Sequence, residues 1–344
     1  MRARATPGAA RRIARMRSRL FERRFAIVSG KGGVGRSTVA LALGLAAARN
    51  GLRTCVVQLG ARDWAALAMG HAIPSYTPVQ LDRLLPLYAC KLTPPEALRE
   101  YSQMKLRFRA LHNLVFENEV MRKLVRMIPG MNEMLMLGKA WHMEAADRRP
   151  DGAPTWDLLV IDAPATGHGV SLLRLPQVIC QVVPVGPMAE DARAMRGLLE
   201  DPLRTALHVV TLPQELPASE ALELAEQART TLGVPTGYLF VNQLLPKVLT
   251  DAHRTALHNH RKQAKGLLVA EALEAVQAVD HWRAAQLVQL QRLQRLSNLP
   301  VVELPHLLEP IGRSQIERLS ELCVAGMEMA DLREQTQGAH QRRP

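Results

Sequence analysis

Aromatic residues are scarce in this chain, and cysteines are few. Phe, Trp and Tyr make up 4% of the 344 residues, so leucine, alanine and methionine must form most of the core, which favours helices. The cysteines Cys55, Cys90, Cys180 and Cys323 lie far apart and form no C-x-x-C pair, which argues against a disulfide framework or a zinc motif. Cys55 and Cys180 lie in apolar segments, and we expect both thiols to be buried.

Long hydrophobic runs are also missing. No uninterrupted apolar stretch reaches the roughly 18 residues that a transmembrane helix needs. Together with the small number of cysteines, this predicts a reduced, cytoplasmic protein.

Charge is concentrated at the ends of the chain. The formal net charge is +12, and residues 1–24 contain nine arginines and a single glutamate, whereas the central part is close to neutral. We predict that residues 1–24 form a basic, disordered tail. The alternative is a short basic helix that contacts a membrane or a nucleic acid, which would make the protein membrane-associated or DNA-associated.

A glycine-rich loop follows the first apolar run. The segment 25–28 is apolar, residues 30–38 read GKGGVGRST, and a helical pattern extends to residue 50. This is the strand, loop and helix of a phosphate-binding P-loop, in which glycines leave backbone N–H groups open to an anion. The sequence therefore predicts a nucleotide site formed by Gly30, Lys31, Gly32, Gly33, Val34, Gly35, Arg36, Ser37 and Thr38.

Three of these side chains have predicted roles. The Ser37 hydroxyl is placed to bind Mg²⁺. Lys31 lies inside the loop, which is the signature of the deviant P-loop class, whose extra lysine typically reaches phosphates across a dimer interface. Arg36 occupies the position of the usual lysine, and its longer, forked side chain is not an equivalent replacement. Lys31 and Arg36 are candidate catalytic residues.

A second motif lies at the end of another predicted strand. Residues 157–162, DLLVID, form a continuous apolar run that ends in an acid, which indicates a strand covered on both faces. Asp162 would lie at the carboxyl edge of the sheet, and we predict that it holds Mg²⁺ through water and is, with Lys31 and Arg36, a candidate catalytic residue. The loop 163–168 is suited to sensing a γ-phosphate, with Gly167 and His168 as candidate switch residues.

Strand and helix patterns alternate along the chain, which predicts an α/β fold with a doubly wound, mostly parallel sheet. We predict a P-loop ATPase domain over 25–325, a helical insertion at about 79–148, further helices at about 251–298, and a polar tail over 326–344. Additional strands are predicted at 54–59, 178–185, 207–212, 237–242 and 300–304.

The predicted helical insertion is rich in methionine. Methionine suits surfaces that repack around varied apolar partners, so the insertion could bind a hydrophobic protein client. The alternative is that these side chains fill the core of the insertion itself. The methionines are Met104, Met121, Met127, Met131, Met134, Met136 and Met143.

Several motifs together resemble the family of arsenite-pump and tail-anchored-protein-targeting ATPases, a SIMIBI-like branch of the deviant P-loop NTPases. The resemblance rests on the P-loop, on 162–168 with 172–176, on 212–224, on FVNQLLP at 240–246 and on VVELP at 301–305. It implies ATP and Mg²⁺ as ligands and a dimeric ATPase. It also implies that Asn242 and Pro305 lie beside the adenine.

The sequence also departs from this family. The family's first switch motif has an Asp that orients the attacking water, and that position falls near Gly60, with Asp63 close by. Together with Arg36, this predicts weak or partner-assisted hydrolysis. We expect either a homodimer or a heterodimer with a more complete paralogous ATPase. The cysteines that bind arsenite or interfacial zinc have no counterpart, which argues against an arsenite role.

Overall fold

The computed structural model describes residues 19–60, 68–70, 76–105, 130–164, 169–182, 185–260 and 267–341. Within these ranges, one sheet of eight strands lies in the order β3-β4-β2-β5-β1-β6-β7-β8, and every neighbouring pair is parallel except β3 with β4. The strands are β1 Phe25–Ser29, β2 Thr54–Leu59, β3 Val79–Gln80, β4 Leu87–Leu92, β5 Leu158–Asp162, β6 Thr205–Thr211, β7 Thr236–Leu244 and β8 Val301–Pro305.

Helices cover both faces of this sheet. One core contains residues of the helices within 131–230 and of the helix at 267–296, and the other contains residues of the helices at 36–49 and 313–341. The predicted doubly wound α/β fold is therefore confirmed. The described helices are α1 Arg36–Arg49, α2 Pro94–Lys105, α3 Met131–Ala145, α4 Gly169–Val182, α5 Pro187–Glu200, α6 Glu215–Thr230, α7 Asp251–His260, α8 Leu267–Leu296 and α9 Arg313–Gln341.

The central strands are buried along their whole length, because helices pack on both sides of them. Every residue of β1, β2, β5 and β6 is buried, which explains their continuous rather than alternating apolar pattern. In the register of the sheet, Val28 lies opposite Asp162, and Gln58 lies on the other side of Asp162. The loops after β1, β2 and β5 therefore leave the sheet at one shared edge.

The segment predicted as a helical insertion at 79–148 also contains strands. β3 and β4 lie within it, and the described helical part begins with α2 at Pro94. The strand β4 is mostly buried and pairs with β2. This long-range pairing makes the segment a strand, although its local sequence pattern resembled a helix. Residues 106–129, with Met121 and Met127, lie outside the described residues.

The strand predicted at 178–185 is wrong, because residues 178–182 form the last turns of α4. The apolar run was misread because a short apolar segment does not distinguish a strand from a helix. Leu172 and Leu173 are buried on the sheet side of the helix, whereas Val178 and Val182 are exposed. Cys180 is accordingly half-buried rather than buried, and Cys55 is buried as expected.

At both ends of the chain, the fold includes residues that were predicted to be tails. Phe21 is buried in the core of the α1 face, so the polypeptide is already packed at that point. At the other end, α9 continues to Gln341, with Met327 and Ala330 buried. The Tyr238 hydroxyl donates a hydrogen bond of 2.8 Å to Asp331, which ties this part of α9 to β7. Residues 1–18 lie outside the described residues.

The buried carboxylate of Glu144 connects helix α3 to the residues that precede β1 and β6. Glu144, near the end of α3, has a side chain that is 1% exposed, and it pairs with Arg24 at 3.5 Å and with Arg204. Because Arg24 precedes β1 and Arg204 precedes β6, this cluster lies at the edge of the sheet opposite the P-loop. A buried charge is tolerated in such a place only when it is paired in this way.

Four of the methionines considered above are core residues. Met131, Met134, Met136 and Met143, all on α3, are buried, whereas Met104 on α2 is partly exposed. This supports the interpretation that these four side chains fill the helical part's own core. Among the helices in the described ranges, none is long and apolar enough to cross a membrane.

His208 gives the fold a pH dependence that can be measured. It is fully buried in β6, accepts a 3.1 Å hydrogen bond from the Tyr238 backbone N–H, and stacks on the Tyr238 ring. Burial, with a smaller contribution from the Arg23 charge, lowers the pKa of His208 to about 3. Protonation is therefore easier in the unfolded chain, whose histidines titrate near 6.5, and the native state loses stability as pH falls below that value.

We predict that His208→Asn weakens this dependence, because asparagine keeps an acceptor near the position of Nδ1 but does not titrate. Between pH 6.5 and 4.5 the wild type should lose stability at up to about 1.4 kcal/mol per pH unit from this residue. Denaturant unfolding at a series of pH values measures the slope. The exposed His281 provides the matched control, and equal slopes for His208→Asn and His281→Asn would contradict the prediction.

Candidate nucleotide site

The P-loop between β1 and α1 has an open backbone surface. Gly30, Gly33 and Gly35 have φ values of +153°, +84° and +92°, and this left-handed backbone favours glycine. At Gly32 and Gly33, a Cβ atom would meet no other atom within 4 Å. The surface of the loop at these two glycines is therefore open, which leaves room for a phosphate group to approach the backbone.

The other side of the loop is held tightly by the sheet. A Cβ atom at Gly30 would lie 2.1 Å from the Val210 carbonyl oxygen, and one at Gly35 would lie 2.2 Å from Asn242 Nδ2. The Asn242 amide donates a hydrogen bond of 3.0 Å to the Val34 carbonyl. These close approaches fix the path of the loop against β6 and β7, so glycine is required there for packing as well as for backbone conformation.

Helix α1 begins directly at the loop, and no side chain caps it. Gly35 is its N-cap residue, without a side-chain cap hydrogen bond and without an acid in the first turn. The first amides of the helix therefore remain available to a ligand, and the helix dipole adds positive potential there. Ser37 and Thr38 lie in this first turn, and both are half-buried.

Asp162 lies beside Ser37 at the end of β5. Its carboxylate is 6% exposed and accepts hydrogen bonds from the Ser37 hydroxyl and, at 3.5 Å, from Gln58 Nε2. Burial raises the pKa of Asp162, while Ser37, the Arg36 charge and Gln58 act against that rise. A hydroxyl and a carboxylate at one sheet edge are the oxygen ligands that Mg²⁺ prefers.

Gln58 supplies a further polar atom at this position. Its Oε1 is buried and has no hydrogen-bond partner among the described residues. Buried polar atoms are nearly always paired, so this oxygen fits a water that a bound ion would hold. Gln58 belongs to no recognisable sequence motif, although its place near the end of an apolar strand marks it as a residue close to the site.

Arg36 is turned away from the open side of the loop. Its side chain is buried, and its Nη1 atom donates a hydrogen bond of 2.7 Å to the Pro164 carbonyl oxygen just beyond β5. The arginine thus connects the start of α1 to the segment that begins the predicted switch loop.

Lys31 forms an ion pair within its own chain. Its Nζ atom lies 2.7 Å from Glu220 Oε1 on α6, and both side chains are more than one third exposed. Glu220 lies within the motif at 212–224, but its contact with Lys31 spans 189 positions and was not predicted.

Asn242 and Pro305 both lie at the same edge of the sheet as the P-loop. Asn242 is buried, and its two polar side-chain atoms bond to Val34 O and to the Gln243 N–H. In this structure it therefore holds the P-loop, whereas the family resemblance implied contact with a base. Pro305 ends β8 and borders a cavity of about 290 Å³, whose other lining residues include Leu244, Lys247, Arg283, Leu287 and Glu303.

Helix α8 supports the loop beside this cavity. Gln286 accepts a hydrogen bond of 2.8 Å from the Leu245 N–H and donates one of 3.2 Å to the Gln243 carbonyl. Arg283 also donates to the Leu245 carbonyl. The backbone after β7 is therefore held by side chains about 40 positions away, which no local motif reveals.

The predicted switch residues are only partly covered by the structure. Gly60 follows β2 with a φ of +122°, and its N–H donates a hydrogen bond of 3.0 Å to the Leu92 carbonyl. Asp63, Gly167 and His168 lie outside the described residues.

Comparison with known proteins agrees with this geometry. A family model described as anion-transporting ATPase matches residues 23–186, which include the P-loop, Asp162 and the loop after it. Over this region, which is slightly less than half of the chain, the protein is similar to the anion-transporting ATPase family. The matched region ends after α4 and so covers the part of the fold that carries the predicted phosphate and metal ligands.

Relatives from bacteria, archaea and plants extend the likeness beyond that region. ATPase BagA of Mycobacterium tuberculosis is 28% identical over 75% of this chain and 74% of its own length. A putative arsenical pump-driving ATPase of Halobacterium salinarum is 26% identical over 74% of this chain and 40% of its own length. ATPase GET3B of Arabidopsis thaliana is 25% identical over 67% and 66% of the two chains.

Proposed function

We propose that this protein is a member of the anion-transporting ATPase family, a dimeric switch that binds ATP with Mg²⁺ and hydrolyses ATP slowly. The observation that carries the proposal is the open P-loop leading into the uncapped start of α1, with Ser37 and Asp162 in contact beside it. The three relatives described above are all named ATPases, which supports ATP as the substrate.

Each residue of the site has a defined task in this proposal. The amides of Gly32 and Gly33 and of the first turn of α1 bind the phosphate oxygens. Ser37 would hold Mg²⁺ directly, and Asp162 and Gln58 would hold waters of that ion. When bound, Mg²⁺ neutralises the charge that develops on the transferring phosphoryl group. The cavity bordered by Pro305 would take the base.

Slow hydrolysis follows from two positions. Arg36 stands where a lysine usually reaches the β- and γ-phosphates, and its guanidinium is bonded to the Pro164 carbonyl. Gly60 has no side chain with which to orient water. Because stabilising γ-phosphate charge and positioning the nucleophile account for most of such catalysis, we propose that a partner assists turnover.

The partner in this proposal is a second ATPase subunit, either another copy or a more complete paralogue. Lys31 would cross to the phosphates of that subunit. In the single chain Lys31 is paired with Glu220, so dimer formation must exchange this partner for a phosphate oxygen.

Ser37→Ala tests the nucleotide site directly. We predict that the variant binds ATP about tenfold more weakly than the wild type when Mg²⁺ is present, because one ion ligand is lost. Isothermal titration calorimetry measures the affinity, and the same titration in a chelator is the control, in which both proteins should bind alike. If the wild type takes up no ATP with Mg²⁺, the proposed function is wrong.

Arg36→Lys tests the cause of slow turnover. Lysine is shorter and would leave the Pro164 carbonyl for the phosphates, so we predict that the steady-state rate of phosphate release rises by about tenfold, which corresponds to ~1.4 kcal/mol of barrier. Affinity for ATP should change less than the rate. A variant that is slower than the wild type would show that the arginine itself serves catalysis.

Glu220→Gln tests the exchange made by Lys31. Removing the competing carboxylate should favour the ATP-bound dimer, lowering its dissociation constant by about two- to fivefold, since exposed ion pairs contribute little. Sedimentation velocity with ATP and Mg²⁺ provides the measurement. Glu223→Gln, an exposed residue on the same helix, is the matched control, and Lys31→Ala should fail to dimerise. Identical behaviour of the two glutamate variants would exclude the exchange.

A further inference from the structure

A second cavity lies along helix α8, beside the cavity that Pro305 borders, and has a volume of about 320 Å³. We call it the α8 cavity, and its lining residues are Lys247, Arg254, Asp280, Arg283, Ala284 and Leu287. Three of these, Lys247, Arg283 and Leu287, also line the cavity at Pro305. The two spaces therefore share a wall, while Arg254 and Asp280 line the α8 cavity alone.

Asp280 is the one carboxylate among these lining residues, and it is already paired. It accepts hydrogen bonds of 2.7 Å from Arg254 Nε and 2.8 Å from Arg254 Nη2, which is the bidentate arrangement that an arginine and a carboxylate prefer. Arg254 also lies 2.6 Å from the exposed carboxylate of Asp251. The guanidinium of Arg254 is thus held in place, and Asp280 is neutralised by a neighbour.

Arg283 and Lys247 are the cations that remain. Within the described part of the chain, neither forms an ion pair, and the hydrogen bond from Arg283 Nη1 to the Leu245 carbonyl leaves its Nε and Nη2 groups available. Lys247 is exposed. The hydrogen bonds from Arg254, together with the charges of all three cations, hold the pKa of Asp280 below its ordinary value. All three positive charges therefore act on this one cavity.

The charges of the group do not cancel. Three cations face Asp280 inside the cavity and Asp251 outside it, which leaves a formal charge of +1. Leu287 lies one turn after Arg283 on the same face of α8, and with Ala284 it gives the cavity an apolar surface. A ligand that combines one negative charge with a small apolar body would match both features.

We propose that the α8 cavity binds a small organic carboxylate of about ten non-hydrogen atoms. Its carboxylate lies between Arg283 and Lys247, and its apolar body lies against Ala284 and Leu287. A guanidinium offers paired N–H groups in the geometry that a carboxylate accepts, and a lysine adds a mobile donor. The size follows from the volume, because an apolar cavity of ~150 Å³ holds benzene. The proposal does not rest on the nucleotide site.

The test compares ligands of one shape and different charge. Phenylacetate is the anionic probe, phenylacetamide is its neutral isostere, and 2-phenylethylammonium is the cationic probe. At low ionic strength, phenylacetate should bind about tenfold more tightly than phenylacetamide, and salt at ~0.5 M should remove most of this difference. The cationic probe should not bind, because its charge has the same sign as the cavity.

Methyl NMR of the full chain measures these affinities and locates the binding. The methyl groups of Ala284 and Leu287 report on the α8 cavity, and those of Val34, in the P-loop, report on the nucleotide site. Phenylacetate should shift the first two signals and leave the signal of Val34 unchanged.

Lys247→Gln separates the effect of charge from that of packing. The exposed lysine can be replaced without disturbing the fold, so the variant should bind phenylacetate about threefold more weakly and phenylacetamide as before. The matched control is Arg295→Gln, which removes an exposed cation of α8 that lies outside the cavity lining. This control should bind both probes as the wild type does.

Ala284→Leu tests the space itself. The larger side chain should fill the cavity and abolish binding of both phenylacetate and phenylacetamide. Ala285→Leu places the same side chain at the next position of α8, which is exposed and outside the lining, so this variant should retain binding.

Any of three results overturns the proposal. These are equal affinity for phenylacetate and phenylacetamide at low ionic strength, no shift of the Ala284 and Leu287 signals at about 10 mM phenylacetate, and equal effects of Lys247→Gln and Arg295→Gln. The comparison of probes on the wild-type protein decides the matter even if a variant fails to fold. ATP binding is measured separately, so failure here leaves the proposed function untouched.

Discussion

The start of helix α1 is the constraint on which the rest of the site depends. A helix that begins without a capping side chain has unsatisfied N–H groups, and these cost free energy unless water or a ligand accepts from them. Here Gly35 allows the turn into α1, and Asn242 holds the loop from beneath. The sheet thus maintains an arrangement of donors that is completed best by an anion.

On one side of this anion site the backbone is fixed by packing, whereas on the other side the side chains make contacts that can be replaced. Val210, Asn242 and the side chains of α8 fix the backbone after β1 and β7. By contrast, Lys31, Arg36 and Gln58 each make a contact that a ligand or partner can replace or extend. Binding geometry is therefore set by main-chain packing, while the rate of any reaction depends on a few side chains. This division supports the slow, switch-like hydrolysis proposed above.

The P-loop and Asp162 could be predicted from the sequence because their chemistry is local. The spacing of the P-loop glycines and a strand that ends in an acid can each be recognised within a sequence window of about ten residues. The Lys31 contact with Glu220 and the support from Gln286 join residues far apart in the chain, so no spacing reveals them. β4 and the end of α4 were assigned wrongly because short apolar runs do not distinguish strand from helix. A methionine-lined cavity between α2, α3 and α5 forms where three helices meet, and only their packing determines it.

The paired Glu144 gives the molecule a mechanical property. The two arginines that pair with Glu144 hold the end of α3 at the edge of the sheet opposite the P-loop. The helix extends about 22 Å from this fixed end, at 1.5 Å per residue. The opposite end begins at Gly130, where a Cβ would lie 2.3 Å from Leu175 of α4. A rotation of α3 by about five degrees about its fixed end would displace its start, at the contact with α4, by roughly 2 Å. Helix α4 in turn follows the loop after Asp162. A tilt of α3 about this fixed end would thus have its largest effect at the start of the helix, where it contacts α4.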